Sequence, residues 1–292
     1  MKVNLPIIKI NGDDFNVNVK YDRLEYVQDR RLIIPLSEAK DEGDGYRIKY
    51  DPALKGLPDL HHFEEFVSKT PLFAHYFLNE LPDHQLQQLL KDFEAERGIV
   101  DAKIQPLKDL DPQEMAKKYH LEIKDLAGKT DWEIIVDQRL YSMRVHSGML
   151  PQLIIDDHPF YVDYRMNELR PHDDFSNTIR FQELIQHNIQ GSASGLIRVP
   201  YLPAKHSLGH IDVHTVTAIP KGTLIVDIPL PDLLDPVGVA RDRGLDVKDY
   251  LRTHPLMGTT VASTVPWKDT ILPGVIEKNK KARKTKKRKG IK

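Results

Sequence analysis

Residues 5–19 read LPIIKINGDDFNVNV, and residues 150–164 read LPQLIIDDHPFYVDY. At a shift of 145 residues the two stretches align without gaps, and the same register continues as far as Glu38 on Glu183. Coincidence does not hold one register over about thirty residues, so the pattern indicates an internal repeat. The structure can therefore be predicted first for one repeating unit and then for the whole chain.

A second block repeats at a different shift. Leu110-Asp111-Pro112 falls on Leu234-Asp235-Pro236 at a shift of 124 residues. The change of shift places about twenty additional residues in the first unit, and their apolar residues recur at helical spacing. We predict a first unit over residues 1–149 with a helical insertion near 53–97, a second unit over residues 150–277, and a basic tail over residues 278–292.

The first part of each unit alternates apolar and polar residues. Residues 8–10 and 15–19 flank a turn that contains Asn11-Gly12, which is the sequence pattern of a β-hairpin. Further strands are expected at residues 32–36 and 46–50, with counterparts at 178–181 and 196–201. The period of two predicts a small antiparallel sheet with one buried face.

The second part of each unit changes to helical patterning. Asp111-Pro112 and Asp235-Pro236 each combine an N-cap residue with proline at the first helical position, and each predicts a pair of short helices. Thr130 and Glu133 form a capping box that is expected to open a longer helix. The predicted apolar stripe of that helix consists of Trp132, Ile135, Val136, Leu140 and Met143.

The end of the second unit departs from the first. Residues 259–265 are expected to form a strand, and a last helix is expected to run from about Leu272 into the tail. The predicted fold class is therefore α+β: a tandem duplication of a unit made of a small antiparallel sheet followed by short helices, plus a basic C-terminal tail.

Composition narrows the class of protein. Of the 292 residues, 40% are hydrophobic and 29% are charged, which is the mix of an ordinary globular protein. The chain contains no cysteine, which excludes disulfides, thiolate metal ligands and a cysteine nucleophile. The N-terminus lacks the continuous apolar segment of a signal peptide, and no stretch approaches about 18 apolar residues. We therefore expect a cytoplasmic protein without a membrane span.

Charge is distributed unevenly along the chain. The formal net charge is −1, and the ten cations of the tail leave −11 on residues 1–277. Such a run attracts DNA or RNA through the phosphates, without sequence preference and with a strong dependence on salt. The alternative is a tail that only raises solubility or folds onto the acidic body. The predicted contact residues are Lys278, Lys280, Lys281, Arg283, Lys284, Lys286, Lys287, Arg288, Lys289 and Lys292.

Residues 206–214 read HSLGHIDVH and contain four side chains of the types that bind divalent metals: His206, His210, Asp212 and His214. On a strand, the last three would project from one face. Their spacing matches no strong zinc motif, and a polar strand face or loop is the competing interpretation. A metal-dependent hydrolase centred on these residues is one hypothesis for the function.

Other patterns indicate binding rather than catalysis. The apolar residues near 53–97 favour a protein-interaction scaffold in which the insertion binds a protein partner. The short helix pairs resemble helix-turn-helix motifs in spacing, but the second helix would carry Asp246 and Asp249 where a DNA-reading helix needs cations. No nucleophile elbow, phosphate-binding loop or dinucleotide motif occurs. We therefore expect a non-enzymatic binding or accessory protein, with no predicted cofactor and no predicted small-molecule substrate.

The two-unit layout, the hairpin that begins at Leu5-Pro6 and the repeated Leu-Asp-Pro block are similar to those of a group of uncharacterised bacterial proteins. The resemblance spans most of the chain and implies the same tandem layout in a bacterial protein. It carries no activity and no functional residues. The tail is also similar in composition to the basic C-termini of some proteins of mobile genetic elements.

Overall fold

The computed structural model describes residues 5–70, 81–175, 177–189 and 195–289, with the side chains of the last helix described as far as Lys284. The chain divides into two compact units, Met1–Ile135 and Val136–Lys292. The division lies before the 149/150 junction that the repeat predicts. The physical reason is that residues between the two positions, Arg144 above all, bind side chains of the second unit.

The first unit begins with an antiparallel sheet in the strand order β1-β2-β3-β4. Its strands are β1 (Ile7–Ile10), β2 (Asp13–Asn18), β3 (Arg23–Tyr26) and β4 (Ile33–Pro35). The predicted hairpin is confirmed, and its turn residues Asn11 and Gly12 both have positive φ, as the tight turn requires. Sequence patterning missed β3.

A second sheet of the first unit has the order β5-β6-β7. Its strands are β5 (Lys40–Asp41), β6 (Tyr46–Tyr50) and β7 (Val100–Ile104). Between β6 and β7 the predicted insertion contains the helices α1 (Leu60–Lys69) and α2 (Asp83–Arg97). After β7 come α3 (Leu107–Leu110), α4 (Pro112–Lys118), a 3₁₀ turn (Ile123–Leu126) and α5 (Asp131–Ile135). Phe15, Leu24, Tyr50 and Met115 are fully buried in the core of this unit.

The second unit begins with α6 (Gln138–Tyr141) and a π-helical turn (Ser142–His146). Its larger sheet has the order β11-β10-β9-β8-β15. The strands of that sheet are β8 (Gln152–Ile155), β9 (His158–Asp163), β10 (Glu168–Pro171), β11 (Ile179–Arg180) and β15 (Thr259–Val261). All pairs in it are antiparallel except β15 with β8, which are parallel.

The smaller sheet of the second unit has the order β13-β12-β14-β16. Its strands are β12 (Leu196–Leu202), β13 (Ser207–Leu208), β14 (Leu224–Pro229) and β16 (Ser263–Thr264). The remaining helices are α7 (Phe181–Gln186), α8 (Pro231–Leu234), α9 (Pro236–Asp242), α10 (Val247–Leu251) and α11 (Leu272–Lys289). β15 and β16 confirm the strand predicted at 259–265, and α11 confirms the predicted last helix.

Several elements of the second unit begin 145 or 124 residues after elements of the first unit, which are the two shifts at which the sequence was aligned with itself. β8, β9 and β10 begin 145 residues after β1, β2 and β3, and α8 and α9 begin 124 residues after α3 and α4. Individual hydrogen bonds recur at the same shifts. They are Val17 N–H to Pro6 O and Val162 N–H to Pro151 O, both 2.8 Å, and Leu121 N–H to Ala116 O and Leu245 N–H to Ala240 O, also both 2.8 Å.

The prediction of one long helix from Thr130 is wrong. The capping box exists, because Thr130 N–H donates to Glu133 Oε2 at 2.7 Å and Glu133 N–H donates to Thr130 Oγ1 at 3.2 Å. However, α5 ends at Ile135, and Asp137 then accepts a hydrogen bond from Leu140 N–H at 2.9 Å. This second N-cap starts α6 in place of a continued α5, since a short carboxylate side chain competes for backbone donors.

No helix in the described part of the chain is long and apolar enough to cross a lipid bilayer.

Candidate functional site

The first two turns of α11 are anchored in the second unit. Leu272 is fully buried and Ile276 is 7% exposed, and their spacing of four residues places them on one face of the helix. Both pack into an apolar cluster formed by Ile189, Ile211 and Ile225. The start of α11 is thus part of a core, although its sequence leads into a run of lysine.

A polar contact extends the anchor by one turn. The side-chain amide of Asn279 donates to the carbonyl oxygens of Val213 at 3.0 Å and Val216 at 2.8 Å. Both carbonyls belong to a loop outside regular structure, so the amide satisfies backbone acceptors that no strand satisfies. The direction of α11 is therefore fixed as far as Asn279.

Beyond the anchor, α11 consists almost entirely of cations. The cations with described side chains are all exposed: Lys278, Lys280, Lys281, Arg283 and Lys284. Lys281 Nζ lies 2.6 Å from Glu277 Oε1, and this pairing holds the pKa of Glu277 below its usual range. The backbone of Lys286, Lys287, Arg288 and Lys289 continues the same helix, whereas Lys292 lies outside the described residues.

The cationic part of α11 is electrostatically strained. Like charges four residues apart, such as Lys280 and Lys284, repel each other by about 0.2–0.5 kcal/mol per pair. At about 1.5 Å per residue, the segment from Lys278 to Lys289 is about 17 Å long. Duplex DNA carries about ten phosphate charges over that length, so the helix and a nucleic-acid backbone match in charge density.

The structure does not assemble the predicted metal ligands. His206 stacks on His158, with ring centroids 3.5 Å apart, and Tyr201 Oη lies 3.4 Å from His206 Nδ1. His210 instead meets His187 edge to face at 5.6 Å. Only Ser207–Leu208 is a strand, so the arrangement of alternate residues on one strand face is wrong.

Asp212 is occupied in a turn. Its carboxylate accepts hydrogen bonds from Thr215 Oγ1 at 2.7 Å and from His214 N–H at 2.9 Å. The bonds from Thr215 and then His214 lower the pKa of Asp212. Across residues 5–70, 81–175, 177–189 and 195–289, no group of three or more His, Asp or Glu side chains is arranged to hold a metal ion. His206 and His210 are therefore engaged in ring contacts, and Asp212 is engaged in a turn.

The apolar patches of the insertion face each other. Phe63 and Phe93 have ring centroids 5.3 Å apart, and Phe66 and Phe93 have centroids 5.6 Å apart. Leu89 is buried in the same cluster. Phe63, Leu89 and Phe93 are therefore packed against one another within the insertion, and among the large apolar side chains described there, outside residues 71–80, Leu60 is the most exposed, at 65%.

A cavity of about 730 Å³ in the first unit was not predicted. It is lined by Leu5, Asn18, Lys20, Tyr21, Arg23, Glu25, Arg30, Asp111, Glu114 and Lys117. Glu25 is only 4% exposed and accepts hydrogen bonds from Asn18 Nδ2 at 2.8 Å and Arg23 Nε at 2.9 Å. Burial opposes the charge, but the bonds from Arg23 and Asn18 hold the pKa of Glu25 below its usual range.

The second unit fills the equivalent positions differently. At a shift of 145 residues, Arg23 and Glu25 become Glu168 and Arg170, so the signs of the two charges are exchanged. Arg170 binds Glu168 at 3.3 Å and also binds the carboxylate of Asp163. Aligning residues 5–38 with residues 150–183 and comparing the charges position by position finds this network from the sequence.

The two repeated N-cap aspartates also differ. Asp235 is completely buried, and Arg144 donates to it from Nε at 3.0 Å and from Nη2 at 2.7 Å. Its counterpart Asp111 is half-buried, lines the cavity and accepts from Glu114 N–H at 3.1 Å. In the second unit Asp235 thus has Arg144 as an internal partner, whereas in the first unit the aligned Asp111 faces the cavity.

No protein-family model, curated protein or solved structure matches the chain.

Proposed function

We propose that the chain is a non-enzymatic, cytoplasmic binding protein that contacts DNA or RNA through α11. One observation carries the proposal: α11 is held by Leu272, Ile276 and Asn279, while every cation described beyond them is exposed. An anchored helix presents its charges at a fixed place, which a tail serving only solubility does not require. No aromatic residue stands among the cations, so recognition would use phosphates and not stacked bases.

We also propose that the two units arose by tandem duplication. The support is the agreement of three features at the same two shifts: residue identities, the starts of strands and helices, and single backbone hydrogen bonds. Asp111 and Asp235 each cap the helix that begins with the following proline.

The test is binding of a labelled DNA duplex and an RNA single strand, measured by fluorescence anisotropy at about 50 and about 200 mM salt. The full chain is compared with a chain ending at Lys280, which keeps the Asn279 contacts. We expect the full chain to lose about 10³–10⁵ in affinity between the two salt concentrations, as about six to ten phosphate contacts require. The shorter chain should not bind.

Two full-length variants separate charge from length. In one, every lysine from Lys281 onward becomes arginine, and in the other every lysine and arginine from Lys281 onward becomes glutamine. The arginine variant should bind like the natural chain, and the glutamine variant should not bind. Equal binding by the glutamine variant, or binding that salt does not weaken, contradicts the proposal. Circular dichroism of both variants checks that the second unit is intact.

A further inference from the structure

In the second unit, residues 258–262 run along the outer edge of the larger sheet. β15 pairs with β8 in parallel. Gln152 N–H donates to Gly258 O at 3.0 Å, and Ala262 N–H donates to Ile154 O at 2.8 Å. The outer edge of β8 is therefore covered by a strand from the end of the unit.

The same segment continues onto the smaller sheet. β16 pairs antiparallel with β14, and Val265 N–H donates to Ile225 O at 2.8 Å. Eight consecutive residues thus cover one edge of each sheet and join the two sheets. An uncovered edge would expose a row of backbone donors and acceptors.

The first unit has the equivalent two edges, and among its described residues, 5–70 and 81–135, no strand pairs with either of them. In the described part of the chain β1 pairs with β2 alone, and β7 pairs with β6 alone. β1 corresponds to β8 at the shift of 145 residues, and β7 corresponds to β14 at the shift of 124. Ile7, on β1, is 59% exposed.

The direction of the free backbone groups on β1 follows from the bonds that β1 already makes. Val17 N–H donates to Pro6 O, just as Val162 N–H donates to Pro151 O in the second unit. Backbone groups alternate in direction along a strand, so those of Ile7 and Lys9 point away from β2. They match the groups of Gln152 and Ile154 that bind residues 258–265.

We infer that the open edges of β1 and β7 form a docking site for an extended segment of another protein, about eight residues long. The segment would run parallel to β1 and then antiparallel to β7, which is strand addition to exposed sheet edges. A second copy of this chain is not the occupant, because its own residues 258–265 are paired in its second unit. The inference goes beyond nucleic-acid binding and rests on the proposed duplication for its template.

The side chains beside the edge of β1 determine which residues of a partner segment can pair there. In the template, Thr260 and Ala262 face inward while Val261 is 66% exposed and lies opposite Ile154. The counterpart of Ile154 is Lys9, whose side chain is 75% exposed and whose Nζ lies 3.7 Å from Asp14 Oδ1 on β2, so an acidic partner residue would share this ammonium group with Asp14. A lysine at an open edge discourages pairing with neutral or basic strands, and an acidic residue opposite it reverses that effect. The partner segment is therefore small or β-branched on its inner face and acidic where the template has Val261.

The probe is a fluorescent peptide with the sequence of residues 257–266, MGTTVASTVP, made with Val261→Glu or with Val261→Lys. Binding to the full chain is measured by anisotropy at about 200 mM salt. We expect the Val261→Glu peptide to bind at least about tenfold tighter than the Val261→Lys peptide, which corresponds to 1.4 kcal/mol. The glutamine-tail variant should give the same result, which separates this site from α11.

Two variants of the full chain test the position. Lys9→Glu should reverse the preference between the two peptides. Lys9→Pro removes an outward N–H without removing a bond to β2, and should weaken both peptides about tenfold or more while circular dichroism stays unchanged. If neither peptide binds, or if Lys9→Glu leaves the preference as it was, the inference is wrong. Loss of DNA binding with retained peptide binding would overturn only the proposed function.

Discussion

Arg144 is the ion-pair partner of the fully buried Asp235 in the second unit. Breaking a buried ion pair by removing one partner leaves an uncompensated charge and costs about 3–5 kcal/mol. We predict that Arg144→Met lowers the free energy of unfolding of the second unit by about this amount, measured by urea denaturation.

The matched control is Arg139→Met, an exposed arginine in the preceding helix α6. A surface substitution of this kind is expected to change stability by no more than about 0.5 kcal/mol. Adding Asp235→Asn to Arg144→Met should recover part of the loss, since the buried charge is then gone. Equal effects of the two arginine substitutions would mean that the ion pair is not important for stability.

His158 makes the stability of the second unit depend on pH. Its ring is 12% exposed and stacks on His206, and Asp173 lies 3.3 Å away. Burial first, and then repulsion from His206 and His172, lower the pKa of His158, while Asp173 acts in the opposite direction. The unfolded chain, with an ordinary histidine pKa of about 6.5, therefore binds a proton at a pH where the native state does not. The contribution of neutral His158 to the free energy of unfolding is fully present above about pH 6.5, and it is lost as the pH falls towards the lowered pKa.

We predict that the free energy of unfolding falls more steeply from pH 7 to pH 5 for the natural chain than for His158→Gln. Urea denaturation at pH 5, 6 and 7 gives both slopes, and the other titrating groups cancel in the comparison. Identical slopes would show that His158 has no lowered pKa in the native state.

At the scale of single elements, α11 combines an anchored beginning with a self-repelling remainder. Each like-charged pair in the remainder opposes the helix by about 0.2–0.5 kcal/mol, and bound phosphates remove that repulsion. We predict that inorganic polyphosphate increases the helical circular dichroism signal of the full chain at low salt. The chain ending at Lys280 should not respond, and a response of the same size in that chain would contradict the prediction.

The elements that the sequence predicted are those with local causes. The Asn11-Gly12 turn and the Asp111 and Asp235 caps involve atoms within about four residues of one another, so their residue types are sufficient evidence. The cations of the tail were equally visible. The part of the candidate nucleic-acid site beyond Lys280 consists of these cations, so the sequence alone predicted it.

The elements that the sequence did not predict have distant causes. β3 was missed because its alternation of polar and apolar residues spans only four residues, and the burial of Glu25 depends on hydrogen bonds from Arg23 and from Asn18 on the neighbouring strand. The anchor of α11 depends on carbonyls that lie 63 and 66 residues before Asn279 in the chain. The parallel pairing of β15 with β8 likewise joins residues that no local pattern relates.

At the scale of the whole molecule, the boundary between the units shows the limit of repeat analysis. A repeat marks where two copies resemble each other, and residues 136–149 resemble nothing in the first unit. They nevertheless make contacts in the second unit, because Arg144 binds Asp235 and the side chain of Leu140 packs closely against Gly258. Contacts therefore assign this segment to the second unit, whereas the sequence alignment, which resumes only at Leu150, left it at the end of the first.

This assignment makes a prediction about two truncated chains, residues 136–292 and residues 150–292. The longer chain should unfold cooperatively in urea, and the shorter chain should be less stable by about 3–5 kcal/mol, because Asp235 loses its buried partner. That loss is a large part of the 5–15 kcal/mol by which domains of this size are usually stable. A synthetic peptide of residues 136–149 should restore stability to the shorter chain, and the same peptide with Arg144→Met should not. If the two chains are equally stable, the junction at 149/150 is the true boundary, and the segment before it is a linker.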